Sequence, residues 1–385
     1  MGGVSGPDAE GYCIIARDIK RGDDPVVSSQ DIYHLRKQIE SVDEEVLRLL
    51  ERRVDLAKKV GEVKGDASVY DPSREMEIIE RLCNLTKELD PKFVSLLFRE
   101  IISFCRAVQG PIKVACMGPE GSFSHEAVVS FLGRFVDVVF VENPAEVFDH
   151  VSKEKAGIGV VPVENTTEGT VYSTLDAFAT AEQSISVIGE GQLPIRLALA
   201  SEEKTMADIE EVYSHPQPFG QCRNWLHKNL PWARQIPTSS TSYAAKIAKT
   251  KKKSAAICGR LAAELYGLNI LDEGIEDHPY NATRFWLIGR AFARSSERCK
   301  TSILFNVAHK PGTLFQALEP LYKAGLNLTL IQSRPLPGNP FEYFFFVDFE
   351  GDVGEERVEE ALAAMRSRVE RLRVLGSYPQ IKFIK

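Results

Sequence analysis

Apolar residues near the start of the chain recur at three- and four-residue steps. Ile32, Leu35, Ile39, Val42, Val46, Leu49 and Leu50 make one stripe, the period of an amphipathic helix. No proline interrupts the stretch before Pro72. A helix continuing to Lys64 would hold about 34 residues and span about 50 Å, too long for the core of one small domain. An intertwined helical dimer is therefore expected. Asp71-Pro72 and Asp90-Pro91 each read as an N-cap followed by proline at the first helical position, the second leading into Phe93, Leu96, Leu97, Ile101 and Phe104. Three helices, one long and two short, are predicted over residues 30–110.

The pattern then changes period. Short apolar runs at Val114-Ala115-Cys116, Ile158 to Val161, Ile185 to Ile188 and Ala255 to Cys258 alternate with helical stretches. They predict an α/β domain over 111–292, with parallel strands, crossover helices and the site in the strand-end loops. Residues 299–385 predict a small α+β domain. Its strands are Ile303–Val307, Asn327–Ile331, Tyr343–Asp348 and one near Arg373-Val374-Leu375. Helices start at Pro311-Gly312 and run from Val358 to Val369, and the third strand follows a Pro335-Leu336-Pro337-Gly338 turn, giving the order βαββαβ.

Composition narrows the function class. The 385 residues, 44% of them hydrophobic, suffice for two or three cores. A formal charge of −7 leaves no basic footprint for nucleic acid, and the run Lys249-Thr250-Lys251-Lys252-Lys253 lacks interleaved aromatics and reads as a solvated loop. The seven cysteines include no CxxC pair, which points to neither a disulfide framework nor a zinc ribbon and suits a reducing cytoplasm. Residues 1–29 hold no apolar run long enough for a signal peptide or a membrane span and are expected to form a flexible tail. No Gly-rich dinucleotide loop or Walker loop occurs, so neither metal nor organic cofactor is expected.

Helical phase gives the first segment candidate chemistry. Arg53 and Lys64 lie about three turns apart with only about 20° of drift, so their long side chains can converge on one anion. Arg36 faces about 100° away from Arg53 and would serve a neighbouring chain better than its own. Each cation taken alone reads as an ordinary surface charge. In order, the stretches Leu35-Arg36 through Ile39, Asp43, Leu49 to Arg53, Val60 to Lys64 and Asp71 to Glu75 resemble the all-helical chorismate mutases across the whole segment. The resemblance implies a pocket lined by Arg36 (from the partner chain), Arg53, Lys64, Asp71, Arg74, Glu75, Cys105 and Gln109. In such a pocket the arginines would clamp the two carboxylates of chorismate, Lys64 and Gln109 would donate to the ether oxygen, and Glu75 would position the substrate hydroxyl. Cys105 stands where the family commonly has serine, and a thiol is the weaker donor.

In the middle segment the loop Gly118 to Ser124 follows a strand and opens a helix, a combination that reads equally as an anion cradle and as a plain connection. Further cassettes decide the matter: Pro162 to Gly169, Tyr213-Ser214-His215-Pro216-Gln217, Gln221-Cys222, Ser240-Thr241 and Asn281-Ala282-Thr283-Arg284-Phe285. Together they resemble prephenate dehydratase across the segment, which implies two α/β lobes with the active site in the cleft between them. By that resemblance Thr283 would donate to the departing hydroxyl. Glu164, Asn165, Ser214, Gln221 and Thr241 would bind substrate, with Arg284 steadying a carboxylate. His215 reads equally as a proton source and as a structural residue. A solute receptor would share the lobes, but would normally carry an export signal.

The tail is similar to the ACT domain, a small-molecule sensor often paired between chains. The resemblance implies phenylalanine-binding loops at Gly312-Thr313-Leu314 and Gln332-Ser333-Arg334-Pro335. Alanine is commoner at the position of Thr313 and glutamate at that of Gln332. A dimerisation module without ligand is the alternative. The expected whole is a cytoplasmic multidomain enzyme, at least a dimer, with chorismate and prephenate as substrates and phenylalanine as effector. An arogenate dehydratase with a vestigial mutase segment, and a non-catalytic amino-acid-binding regulator, are the rivals.

Overall fold

The computed structural model describes residues 29–64, 70–290, 299–335 and 343–381. The predicted tail before residue 29 and the turn at Leu336-Pro337-Gly338 lie outside the described residues. Compact packing divides the chain into two units, the first ending at Leu56 and the second beginning at Ala57.

The long helix α1 spans Ser29–Lys64. Its predicted apolar stripe is exposed at Ile32, Leu35, Ile39, Val42, Val46 and Leu49. Helices α2 (Pro72–Leu85) and α3 (Pro91–Ala107) start as predicted, with Asp71 and Asp90 as N-caps and proline in the first turn. The Asp71 carboxylate accepts from Arg74 N at 3.0 Å and that of Asp90 from Lys92 N at 2.8 Å, each satisfying a first-turn N–H. Among the described residues no helix is long and apolar enough to cross a membrane.

From residue 113 the chain runs β1 (Lys113–Met117), α4 (Phe123–Leu132), β2 (Asp137–Val141), α5 (Pro144–Ser152), β3 (Ile158–Asn165), β4 (Gly169–Thr170), α6 (Tyr172–Thr180) and β5 (Ser186–Pro194). A second lobe follows: β6 (Ala198–Ser201), β7 (Glu211–Ser214), α7 (Pro216–Gln221), α8 (Arg223–Asn229), β8 (Arg234–Pro237), α9 (Thr241–Thr250), β9 (Ser254–Cys258), α10 (Arg260–Leu265) and β10 (Asn269–Glu273). The chain then returns to the first lobe as β11 (Ala282–Gly289). The last domain is β12 (Cys299–Asn306), α11 (Thr313–Lys323), β13 (Leu328–Pro335), β14 (Tyr343–Glu350), α12 (Glu356–Arg366) and β15 (Arg371–Ile381), the predicted βαββαβ order.

The first lobe has the expected parallel pairs and an antiparallel insertion beside them. β1 pairs in parallel with β2 and β3, but the returning β11 is inserted antiparallel between β3 and β5. An antiparallel centre is the consequence of leaving the first lobe after β5 and re-entering it by a second crossing. Both crossings are tied together: Ile195 N donates to Asn281 O at 2.9 Å, and the buried Glu276 carboxylate accepts from Leu197 N at 2.9 Å and Arg196 at 2.7 Å. The second lobe has its own sheet, ordered β10-β6-β9-β7-β8.

One sheet joins the first lobe to the last domain. β15 pairs with β5 through Gln380 and Ile381, giving the strand order β13-β14-β12-β15-β5-β11-β3-β1-β2. Gly376 permits this close approach, because a Cβ there would lie 2.1 Å from Val187 O. The core is shared as well, with Phe148, Phe178 and Trp286 of the first lobe in one cluster with Leu304, Phe346 and Tyr378 of the last domain. Each such side chain contributes about 1.5–3 kcal/mol by burial, so the two parts are continuous rather than tethered.

Where α4 meets the second lobe, Ser242 Oγ donates to Glu120 O, and Glu126 lies against Gly259. Glu126 is partly exposed as a residue, yet its Oε2 is buried without a hydrogen-bond partner among the described residues. Burial, seconded by Glu264 and Glu273 against the opposing Arg260, pushes its carboxyl up to about 7. Between pH ~4.5 and ~7 the folded chain thus holds a proton that the unfolded chain has released, so stability falls as pH rises through that window. Glu126→Gln should match the wild type in urea denaturation near pH 4.5 and exceed it at pH 8, by on the order of 2–3 kcal/mol. A difference independent of pH would show that Glu126 ionises freely in the folded protein.

Candidate active sites

In the helical segment Arg36 and Arg53 belong to the first unit, while Asp71, Arg74, Glu75, Cys105 and Gln109 belong to the second. Lys64 ends α1, about one turn beyond Gly61, where an added Cβ would sit 3.1 Å from Gln109 Cβ. Gln109 Nε2 donates to Cys105 O at 3.2 Å and Cys105 is buried. Arg74 is exposed and paired with Glu77 at 3.0 Å. Asp71 is committed to capping α2.

Glu75 has a partner that sequence reasoning missed. Arg106, 3% exposed at its side chain, donates to both carboxylate oxygens at 2.7 and 2.8 Å. Burial pushes the Glu75 carboxyl up and Arg106 pulls it back, with burial the larger effect. The Arg106 guanidinium lies over the Tyr70 ring and also donates to Leu132 O, at the end of α4. An ionised carboxylate has roughly four acceptor positions, so Glu75 can hold Arg106 and still receive a hydroxyl.

In the two-lobed domain a cavity of about 320 Å³ opens between the lobes. Its lining includes Asn165, Gln221, Thr241 and Thr283, four of the predicted substrate and catalytic residues, together with His215. Thr283 is the second residue of β11 and pairs with Asn165 at the end of β3, in antiparallel register. Asn165 Nδ2 donates to Thr283 Oγ1 and to Asn281 Oδ1, both at 2.9 Å, and Asn165 Oδ1 accepts from Thr167 N at 2.9 Å and Glu168 N at 3.1 Å. Accepting from Asn165 leaves the threonine hydroxyl its own hydrogen to donate.

Three helix starts meet this cavity. The N-caps Ser122 of α4, His215 of α7 and Ser240 of α9 all line it. Ser122 accepts from His125 N at 3.2 Å, and Ser240 from Tyr243 N at 3.0 Å. At the two ten-residue helices α4 and α9, first-turn N–H groups and the positive ends of the helix dipoles favour anions. Among the described residues the lining holds no lysine or arginine, and Glu168 and His215 are its titratable side chains. Apolar walls come from Phe123, Ile195 and Phe285. The caps Ser122 and Ser240 were detectable as serines opening predicted helices, whereas Ile195 and Asn281 come together only through the tied crossings.

The structure places three of the expected substrate residues outside the cavity lining. Arg284 is buried on the far side of β11, where it bonds Glu190 at 3.0 Å and Asp348 at 2.7 Å. Lys300 joins Glu190 at 2.8 Å, and Ser302 donates to Asp348 at 2.6 Å. The reason is strand period: Thr283 and Phe285 face the cavity, so Arg284 cannot. Ser214 is fully buried below the cleft and donates to Ile257 O at 2.8 Å. Glu164 is not in the lining and sits 3.4 Å from Arg284.

Period two also divides the predicted effector loop. Gln332 and Arg334 face the first lobe, where Thr170 Oγ1 donates to Gln332 Oε1 at 3.3 Å and Arg334 grips Asp176 at 2.7 and 2.5 Å. Ser333 and Pro335 alternate with them and are exposed. Gly312 is the left-handed N-cap of α11, and the Thr313 hydroxyl turns back onto Ala308 O and Lys310 O. Leu314 packs partly buried against the core of this domain.

Known families match in the same order: chorismate mutase type II over residues 35–110, prephenate dehydratase over 114–293 and the ACT domain over 301–366. A bifunctional chorismate mutase/prephenate dehydratase of Aquifex aeolicus is 42% identical over 91% of this chain and 98% of its own. Those of Pseudomonas aeruginosa and Escherichia coli K12 are 40% and 31% identical, over 90% and 92% of this chain and 97% of each of theirs. Among solved structures, a prephenate dehydratase from Arthrobacter aurescens in complex with L-Phe superposes with a TM-score of 0.64 at 33% identity, covering 70% of this chain and 90% of that one. With its helical, two-lobed and sensor-like parts each matched in sequence order, the chain belongs to the bifunctional chorismate mutase/prephenate dehydratase family.

Proposed function

We infer that this protein rearranges chorismate to prephenate in its helical segment and converts prephenate to phenylpyruvate in the cleft, in the cytoplasm, under control of phenylalanine. The observation that carries the second half is the Asn165–Thr283 pair in a cleft where three helix starts meet. Prephenate carries two carboxylates and a ring hydroxyl. Breaking the bond from ring to carboxylate releases carbon dioxide and sends the electron pair into the ring, while the hydroxyl departs with one added proton as water. Thr283, oriented by Asn165, donates a hydrogen bond to that departing oxygen, and the helix starts hold the remaining carboxylate. His215 and Glu168 are the lining groups able to supply the proton.

The first reaction is a concerted rearrangement and requires shape and charge complementarity rather than a nucleophile. Arg36 and Arg53 clamp the dianion, Lys64 and Gln109 donate to the ether oxygen as charge grows there, and Glu75 receives the substrate hydroxyl. Arg36 acting from a second copy agrees with the exposed apolar stripe on α1, since an unpartnered stripe of this size favours association. The protein is accordingly a homodimer or larger.

Feeding chorismate to purified protein and following both products tests this reading. Lys64→Met should lower mutase turnover by about two to three orders of magnitude while dehydration of added prephenate continues. Thr283→Val, of similar volume, should do the converse. Loss of both activities in either variant would indicate misfolding, and retention of both would remove that residue from its site.

Calorimetry supplies the test of the sensor. Phenylalanine should bind the full chain and reduce dehydration, with tyrosine binding more weakly. The absence of heat with either amino acid would leave the last domain as a dimerisation module.

A further inference from the structure

The segment from Asn165 to Asp176 touches the cleft at one end and the sensor strand at the other. Asn165, Glu168 and Val171 line the cavity. Thr170, Tyr172 and Asp176 meet β13: Thr170 bonds Gln332, the Arg334 guanidinium lies 4.5 Å from the Tyr172 ring centre, and its two nitrogens bond the two Asp176 oxygens. We propose that this segment is the element by which the sensor domain sets the dehydratase cleft, with Arg334 and Asp176 as positioning residues and Arg334 a transmitter rather than an effector ligand. The inference rests on the dehydratase reading of the cleft and, for its regulatory half, on phenylalanine as effector.

Each link is a specific bond. Arg334 is two residues from Gln332 and on the same face of β13, so a shift of that strand moves both contacts together. A forked guanidinium–carboxylate pair fixes direction as well as distance, and the guanidinium also lies over the Tyr172 ring. Asp176 belongs to α6, which does not absorb the displacement, because Leu175 and Phe178 are fully buried and Thr174 donates to Pro162 O at 2.6 Å. Val171 N donates to Val163 O at 2.7 Å, and β4 pairs with the end of β3 at Glu164 and Asn165. The last step is Asn165 itself, whose carboxamide holds Thr167 N and Glu168 N with its oxygen and Thr283 Oγ1 with its nitrogen. A displacement of the segment turns the same amide that orients the candidate catalytic hydroxyl.

Full-length Arg334→Met and Asp176→Asn test the idea, together with the exchanged pair Arg334→Asp with Asp176→Arg. The readouts are phenylalanine affinity, dehydratase kcat and KM with and without phenylalanine, and mutase turnover as the check on folding. The expected result is affinity for phenylalanine within about threefold of wild type, against a fall of about fivefold or more in its effect on dehydration, within the usual range of coupling factors. Without phenylalanine, kcat should fall with KM nearly unchanged, and the exchanged pair should recover part of it. Unaltered inhibition and unaltered kcat in both single variants would overturn the proposal. So would loss of phenylalanine binding in Arg334→Met alone, which would make Arg334 a ligand. If the wild type binds no phenylalanine, the effector reading fails by itself. The positioning claim then stands or falls on whether kcat drops and is recovered by the exchange.

Discussion

The alternation of side chains along β11 is the constraint on which the rest of the two-lobed domain depends. One face of this strand carries Thr283 and Phe285 into the cleft, and the other carries Arg284 into the seam with the sensor domain. That seam holds Arg284 and Lys300 against Glu190 and Asp348, all nearly inaccessible and balanced in sign. Removing one partner from such a set leaves a buried charge uncompensated, at a cost of about 3–5 kcal/mol. The strand is therefore locked in register by charges on one side while it presents a neutral hydroxyl on the other. A slip by one residue would put a guanidinium in the cleft and a threonine among carboxylates.

Among the described residues the cleft lining offers helix starts and neutral donors, which suits the chemistry proposed for it. One of the two carboxylates of prephenate leaves as neutral carbon dioxide, so a strong cation on that group would stabilise the substrate more than the transition state and slow the step. On the proposed reading, helix starts and neutral donors would attract the anion without committing it to an ion pair. The rearrangement in the helical segment keeps both carboxylates ionised throughout. On the proposed reading, arginine clamps there would stabilise substrate and transition state alike while enforcing the reactive shape.

Helix starts and strand runs were legible in the sequence because each is a local signal. Asp71-Pro72, Asp90-Pro91 and the βαββαβ order need no knowledge of distant residues. The cassettes around Asn165, Gln221, Thr241 and Thr283 were legible as motifs, and the fold brings these four together. A motif names residues but not the side of a strand, and for that reason Arg284 and Ser214 were assigned to substrate when one faces the seam and the other the core. The inserted, antiparallel β11 could not be read either, because its neighbours are set by two chain crossings rather than by its own pattern. Least legible were contacts between distant segments, such as Arg334 with Asp176, whose partners give no periodic sign of each other.

Glu75 extends the same logic to the helical segment. Its carboxylate is shared between an expected substrate hydroxyl and Arg106, a residue on α3 that no local pattern marks. Arg106 is in turn fixed by Leu132 O, and its neighbour Arg99 by Ser130 O, both carbonyls at the end of α4. Cations near a helix C-terminus meet its negative dipole end favourably, so α4 steadies the cations that steady Glu75. The opposite end of α4 is the helix start that faces the dehydratase cleft. A single ten-residue helix thus supports a carboxylate of one candidate site with its last turn and offers anion-binding N–H groups to the other with its first. Fusion of the two segments in one chain accordingly has a structural consequence beyond covalent linkage, since the Glu75 environment is completed by groups that the helical segment does not contain.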